Sequence, residues 1–89
     1  MRRRREWPSW WQWEIGLNPH LLKRMEDRAF GEVELREMLE KAVGVVPDIV
    51  EGRWRVETRH AGRRWEVIVE PAEDIETLII VTAYPVWSV

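Results

Sequence analysis

The sequence predicts a single α+β domain, in which two N-terminal helices pack on one face of an antiparallel sheet of three to four strands. Apolar residues recur at helical spacing between residues 19 and 42, and from residue 45 onward they recur at every second position, as in strands. The chain has 89 residues, so two independently folded domains do not fit. Residues 1–17 follow neither pattern and are expected to form an irregular, Arg/Trp-rich N-terminal arm ahead of a domain at residues 18–89.

Each predicted helix is bounded by residues that favour helix ends. Asn18 precedes Pro19, and an Asn side chain can cap the first free amides of a helix, while proline is tolerated at the first helical position. The first helix is therefore expected over residues 19–29. The second helix is expected over residues 32–42, with acids in its first turn and Gly44 as its stop.

The register of the predicted strands follows from the requirement that one face carry the apolar residues. The tight turn between the first two strands sets Thr58 opposite Trp65, and continuing the alternation into the last strand, residues 78–84, places Trp65 beside Thr82. The face that receives the helices would then have a polar end formed by Thr58, His60, Arg63, Thr82 and Tyr84. The opposite face would carry alternating Arg and Glu and an apolar strip formed by Ile68, Ile79 and Val81.

Composition excludes several classes of protein. The chain contains no cysteine, which excludes disulfides, thiol nucleophiles and cysteine-ligated metal sites and fits a cytoplasmic location. The longest apolar run, residues 78–81, is too short to span a bilayer, and neither a membrane partner nor a signal peptide is expected. The two histidines lack the spacing of metal ligands and no glycine-rich phosphate loop is present, so neither a metal nor a cofactor is expected.

The remaining polar residues suit metal-independent cleavage of RNA. Attack by a 2′-hydroxyl needs a proton acceptor, cations for the charge on phosphorus and an acid for the leaving oxygen, and His, Tyr and Arg can supply these. The candidate catalytic residues are His20, Arg24 and Arg28 of the first helix, with His60, Thr82 and Tyr84 from the polar end of the sheet. Candidate substrate-binding residues are Arg55, Arg59 and Arg63.

Four segments of the sequence resemble a known group of proteins. The first helix reads HLLKRMEDR over residues 20–28, the strands that follow contain GRWRV and GRRWEVIV, and the last strand reads IVTAYP. These segments resemble the small bacterial domains of unknown function allied to the RelE-like toxins, which are similar to the wider barnase–EndoU–colicin–RelE ribonuclease group. The resemblance spans about residues 18–86 and implies two helices on a four-stranded antiparallel sheet. His20, Arg24, Arg28, Thr82 and Tyr84 correspond by position to the family pattern, whereas His60 and Arg63 enter only through the predicted register.

Two functions remain open on the sequence alone. The first is an RNA-cleaving toxin-like domain, with RNA, including ribosome-associated RNA, as substrate and an antitoxin protein as partner. The second is a non-catalytic binding module of the same fold, which docks a protein or nucleic-acid partner through its Arg and Trp surfaces. The four tryptophans of the arm either pack back onto the domain or form a docking arm. A homodimer is expected through the arm or through the Ile68/Ile79/Val81 face.

Overall fold

The computed structural model describes residues 7–86 of the chain. Residues 1–6 of the predicted arm and residues 87–89 of the predicted domain lie outside the described residues. After a 3₁₀ turn at Ser9–Gln12, the order of elements is β1 (Glu14–Leu17), α1 (Pro19–Asp27), α2 (Glu32–Glu40), β2 (Gly44–Pro47), β3 (Trp54–His60), β4 (Arg63–Ala72) and β5 (Thr77–Pro85). The fold class is α+β, as the change of period predicts.

One mixed sheet of five strands forms the centre of the fold, in the order β1-β5-β4-β3-β2. Four of its strands are antiparallel neighbours, and β1 pairs in parallel with β5, with Ile15 beside Leu78. The prediction that all of residues 1–17 form an irregular arm is therefore wrong for Glu14–Leu17, which is an edge strand. Close packing explains the glycine in β1, because a Cβ at Gly16 would lie 2.9 Å from the Thr77 side chain.

The hairpin of β3 and β4 has the register that the alternation predicts. Thr58 pairs with Trp65, Val56 with Val67 and His60 with Arg63. The turn between the strands places both Ala61 and Gly62 at positive φ. Only glycine adopts that conformation without strain, which suits Gly62 to the turn.

The register of β4 with β5 differs from the prediction in two ways, by an offset of two residues and by a β-bulge. Ile68 pairs with Thr82 and Val69 with Ile80, so Val81 has no partner on β4. One extra residue inverts the alternation, because successive side chains of a strand point to opposite faces. Trp65 pairs with Pro85, three residues beyond the predicted Thr82. Two of the three residues come from an offset between the strands that leaves the faces unchanged, and the third comes from the bulge, which inverts them. Thr82 and the neighbouring Tyr84 lie on the face of the sheet opposite to the one predicted.

The hydrophobic core lies between the helices and one face of the sheet. Leu21 of α1 and Leu35 and Met38 of α2 are fully buried against the inward residues of β3, β4 and β5. The Thr58 hydroxyl donates a hydrogen bond to the carbonyl of Met38, which satisfies a buried polar group of the sheet. The other face of the sheet carries no described helix, and we call it the open face; it includes Arg55, Glu66, Ile68, Thr82 and Tyr84.

The 3₁₀ turn packs on the helix side of the sheet. Trp10 is buried in the core, with its ring centroid 5.8 Å from that of Trp54, while Trp11 and Trp13 are partly buried against the same core. This packing shows that the described indoles extend the core of the domain. These indoles do not cover the Ile68/Ile79/Val81 face, because they contact the opposite side of the sheet.

Candidate functional site

Helix α1 exposes two of the predicted catalytic side chains, one in its first turn and one in its last. The Asn18 side chain accepts a hydrogen bond from the His20 backbone N–H at 2.8 Å and so caps the helix, as predicted. His20 and Arg24 are exposed. The Arg24 guanidinium lies 3.8 Å from the Asp27 carboxylate in an exposed ion pair one helical turn along, a contact that contributes little to stability.

Arg28 follows α1 and has a structural contact. Its Nη1 donates a hydrogen bond of 2.7 Å to the carbonyl of Ala83, which ties the end of the helix to β5. Residues 20 and 28 are separated by about 12 Å along a helix axis, at a rise of about 1.5 Å per residue. His20 and Arg28 therefore lie near opposite ends of the helix.

His60 lies at the end of β3, on the helix side of the sheet. Its ring meets that of Trp65 edge to face, with centroids 5.4 Å apart. Backbone hydrogen bonds from Gly31 and from its own residue lower the pKa of the Glu34 carboxyl, and nearby His60 contributes in the same direction. His60 and its strand partner Arg63 lie together, as the hairpin register predicts.

Tyr84 lies on the open face, where its hydroxyl donates a hydrogen bond of 2.7 Å to Oε1 of Glu66. Burial of the phenol, together with this hydrogen bond and the Glu66 charge, raises the pKa of Tyr84 to about 12. The carboxylate favours the protonated phenol because ionisation would place two negative charges side by side. The Tyr84 hydroxyl therefore keeps its proton, and that proton is engaged in the hydrogen bond to Glu66.

Next to this pair, Arg55, Ile68 and Thr82 form a row across the open face in strand register. Ile68 is buried although no described helix covers this face. The Nε of Arg55 is buried and has no hydrogen-bond partner among the described residues. Arg55 is close enough to Tyr84 for its charge to favour the phenolate, against the stronger effects that raise the pKa. The row thus combines an apolar centre with an unsatisfied cationic donor.

The sheet separates the residues predicted to act together. His20, Arg24, Arg28, His60 and Arg63 belong to the helix side, whereas Thr82 and Tyr84, with Arg55 and Arg59, belong to the open face. The prediction that Thr82 and Tyr84 lie at the polar end of the helix-bearing face is wrong, and the bulge at Val81 is the reason. The structure therefore brings the predicted catalytic set together only in part.

Two residues that lie beside Tyr84 on the open face are not among the candidate site residues identified from the sequence. Glu66 is the hydrogen-bond acceptor of Tyr84, and Ile68 is the buried centre of the row. The alternation of β4 places both on the outward face, and that signal was sufficient to find them. The alternation of β4 does not show that Tyr84 of β5 lies on the same face as Glu66 and Ile68.

We also searched the structure for a metal site and a membrane-spanning helix, and compared the chain with known proteins. Within residues 7–86, no group of three or more His, Asp or Glu side chains is arranged to hold a metal ion. Over the same described range, no helix has the length and apolar character needed to cross a membrane. Comparisons with protein-family models, with curated proteins and with solved structures find no match for this chain.

Proposed function

We propose that this protein is a non-catalytic binding module that docks a partner protein on the open face of its sheet. The observation that carries the proposal is the row of Arg55, Ile68 and Thr82 beside the Tyr84–Glu66 pair. Arg and Tyr are enriched among the residues that dominate binding energy at protein interfaces. The Nε of Arg55 has no acceptor among the described residues, and the positive charge of the guanidinium favours a partner that presents a carboxylate or a backbone carbonyl.

The charge pattern of the open face favours a protein partner over a nucleic acid. Arginine and glutamate alternate there, and Arg53 is bound to Glu70 with an Nε–Oε1 distance of 2.9 Å. Nucleic-acid binding depends on a predominantly positive surface that neutralises several phosphates. The chain has a formal net charge of −2, and the glutamates of the open face interrupt its basic residues. Mixed charges around an apolar centre are typical of protein interfaces.

The placement of the candidate catalytic residues also supports binding rather than RNA cleavage. General acid–base catalysis needs the acid and the base within reach of the same substrate atoms. His20 and Tyr84 lie on opposite sides of the sheet, and the Tyr84 proton is held by Glu66. RNA cleavage, an antitoxin partner and a cytoplasmic location remain predictions from the sequence and its resemblance to the RelE-like toxins.

A crosslinking experiment in the organism that produces the protein tests this proposal. A photo-reactive residue replaces exposed Arg59 on β3, and in a matched control it replaces exposed Lys23 on α1. We expect a specific crosslinked protein from position 59 and not from position 23. Arg55→Ala should weaken binding of that protein about tenfold or more, in the range of an interface residue that dominates binding.

Two results would contradict the proposal. One is a crosslinked partner that appears equally from both positions, or whose binding Arg55→Ala leaves unchanged. The other is cleavage of RNA by the purified protein that His20→Ala abolishes while the fold is retained. That second result would restore the catalytic interpretation and would mean that the helix side carries the activity.

A further inference from the structure

A second candidate site lies on the helix side of the sheet. There the 3₁₀ turn, the start of β1 and the C-terminal half of α2 line a half-open cavity of about 210 Å³. Its apolar lining consists of Trp11, Trp13, Ile15, Leu39 and Leu78. This cavity is smaller than the roughly 300–1,000 Å³ of sites that enclose a whole drug-sized ligand. It therefore suits one head group or one side chain.

The aromatic walls of the cavity are held in place by their neighbours. Trp11 stacks on Trp7, with ring centroids 4.8 Å apart and an angle of 18° between the planes. It also contacts the buried Trp10, with centroids 6.0 Å apart. Trp13 is half-buried against the core. The indole rings are thus positioned before any ligand binds, which lowers the entropic cost of binding.

The charged residues of the cavity favour a cation. Glu40 lines it, and among residues 7–86 its carboxylate has no ion pair or hydrogen bond. Arg36 lines it as well, but its guanidinium is bound to Glu32, with distances to Oε2 of 2.8 Å from Nη2 and 3.2 Å from Nε. The Arg36 charge is therefore compensated by Glu32, and the Glu40 charge is not.

From these contacts we propose that the cavity between Trp11, Trp13 and Glu40 binds a quaternary ammonium group. The electron-rich faces of indole rings attract cations, and aromatic cages for choline and methylated lysine use this attraction. An unmethylated ammonium is strongly hydrated and needs acceptors for its three N–H groups. Three polar side chains, Gln12, Arg36 and Glu40, lie on the lining, and the rest of it consists of the rings and aliphatic side chains named above, which match methyl groups better.

This inference goes beyond the proposed function, because the cavity and the open face lie on opposite sides of the sheet. Either site can therefore be tested while the other is left intact. The ammonium group can come from a free small molecule or from a methylated lysine of a protein. The chemistry of recognition is the same in both cases, and the probes must separate the two sources.

Nuclear magnetic resonance titration of the full chain tests the inference. The probes are choline, its uncharged carbon analogue 3,3-dimethylbutanol, a peptide with trimethyllysine and the same peptide unmodified. We expect choline and the methylated peptide to shift the indole N–H resonances of Trp11 and Trp13. The carbon analogue and the unmodified peptide should bind at least threefold more weakly, because they lack the positive charge or the methyl groups. Tighter binding of the methylated peptide than of choline would identify a protein side chain as the source.

Two matched variants assign the binding to named residues. Glu40→Gln should weaken choline binding about threefold to tenfold, whereas Glu37→Gln, an exposed acid on α2 outside the cavity, should leave it unchanged. Trp13→Leu should weaken it about tenfold while keeping an apolar wall. Equal binding of choline and 3,3-dimethylbutanol to the unaltered chain would overturn the inference, and so would the absence of any indole shift. That comparison needs no substitution, so it decides the question even if Trp13→Leu fails to fold.

Discussion

Trp10→Ala tests whether the 3₁₀ turn belongs to the folded domain. Trp10 is 7% exposed and lies in the core beside Trp54. Truncating a buried Trp to Ala removes its transfer free energy and leaves a cavity, at a total cost of about 3–5 kcal/mol. A domain of 89 residues is expected to have a free energy of unfolding of about 4–13 kcal/mol. The substitution should therefore remove a large fraction of the stability.

The size of the effect can be read as a shift of the melting temperature. For a domain of this length, 1 kcal/mol corresponds to about 4–8 °C, so Trp10→Ala should lower Tm by about 12–40 °C. Trp7→Ala is the matched control, because Trp7 is 36% exposed and stacks on Trp11. Loss of that aromatic contact should cost about 0.5–1.5 kcal/mol.

Far-ultraviolet circular dichroism during urea and thermal unfolding measures both variants, since it does not depend on the tryptophan that is removed. A cost below about 1 kcal/mol for Trp10→Ala, or equal costs for the two variants, would refute the packing of the turn into the core. The tryptophans would then form a docking arm, the alternative that the sequence leaves open.

One substitution and two deletions test the connections of β5. Arg28→Ala removes the hydrogen bond to the Ala83 carbonyl. It should lower the free energy of unfolding, measured with urea, by about 1–3 kcal/mol. An unchanged free energy of unfolding would show that the contact is not formed in solution. Deletion of Val81 removes the unpaired residue and leaves Ile80 and Ala83 facing the core, so the fold should survive. Deletion of Ile68 on β4 should destabilise it more, because β4 has no unpaired residue and Val67 and Val69 can then no longer both face the core. Similar melting temperatures for the two deletions would contradict the bulge.

The helices and the β3–β4 hairpin could be predicted because their signals are local. Asn18 and Pro19 mark the start of α1, and the alternation from Trp54 to Val69 allows one pairing that keeps every apolar residue on the core face. Each predicted helix extends two residues too far, because the last turn of a helix frays and its end depends on backbone contacts.

The edge strand and the bulge could not be predicted from the same signals. Glu14–Leu17 is too short to show a periodicity, and its parallel pairing with β5 depends on a partner more than sixty residues away. The bulge at Val81 leaves no trace in an apolar run, since Ile79, Ile80 and Val81 suit either face. This single unpaired residue separates the predicted catalytic tyrosine from the predicted catalytic histidine.

Alkaline titration of Tyr84 tests this separation most directly, because Tyr84 is the single tyrosine of the chain and its ionisation can be followed by ultraviolet absorbance. With Tyr84 on the open face beside Glu66, the pKa is raised from 10.0 to about 12. The stability that the protonated phenol contributes is fully present below pH 10.0 and is lost as the pH rises through about 12.

With the bulged register, we expect a native circular dichroism spectrum and little tyrosinate just above pH 10.0. Glu66→Gln should lower the pKa of Tyr84, which should stay above 10.0 because burial of the phenol remains. In the predicted register, which pairs Trp65 with Thr82, Tyr84 would instead lie beside Arg63 on the helix side, where a guanidinium favours the phenolate. A titration midpoint at or below 10.0 in the folded protein would contradict the bulged register and return Tyr84 to the side of His20.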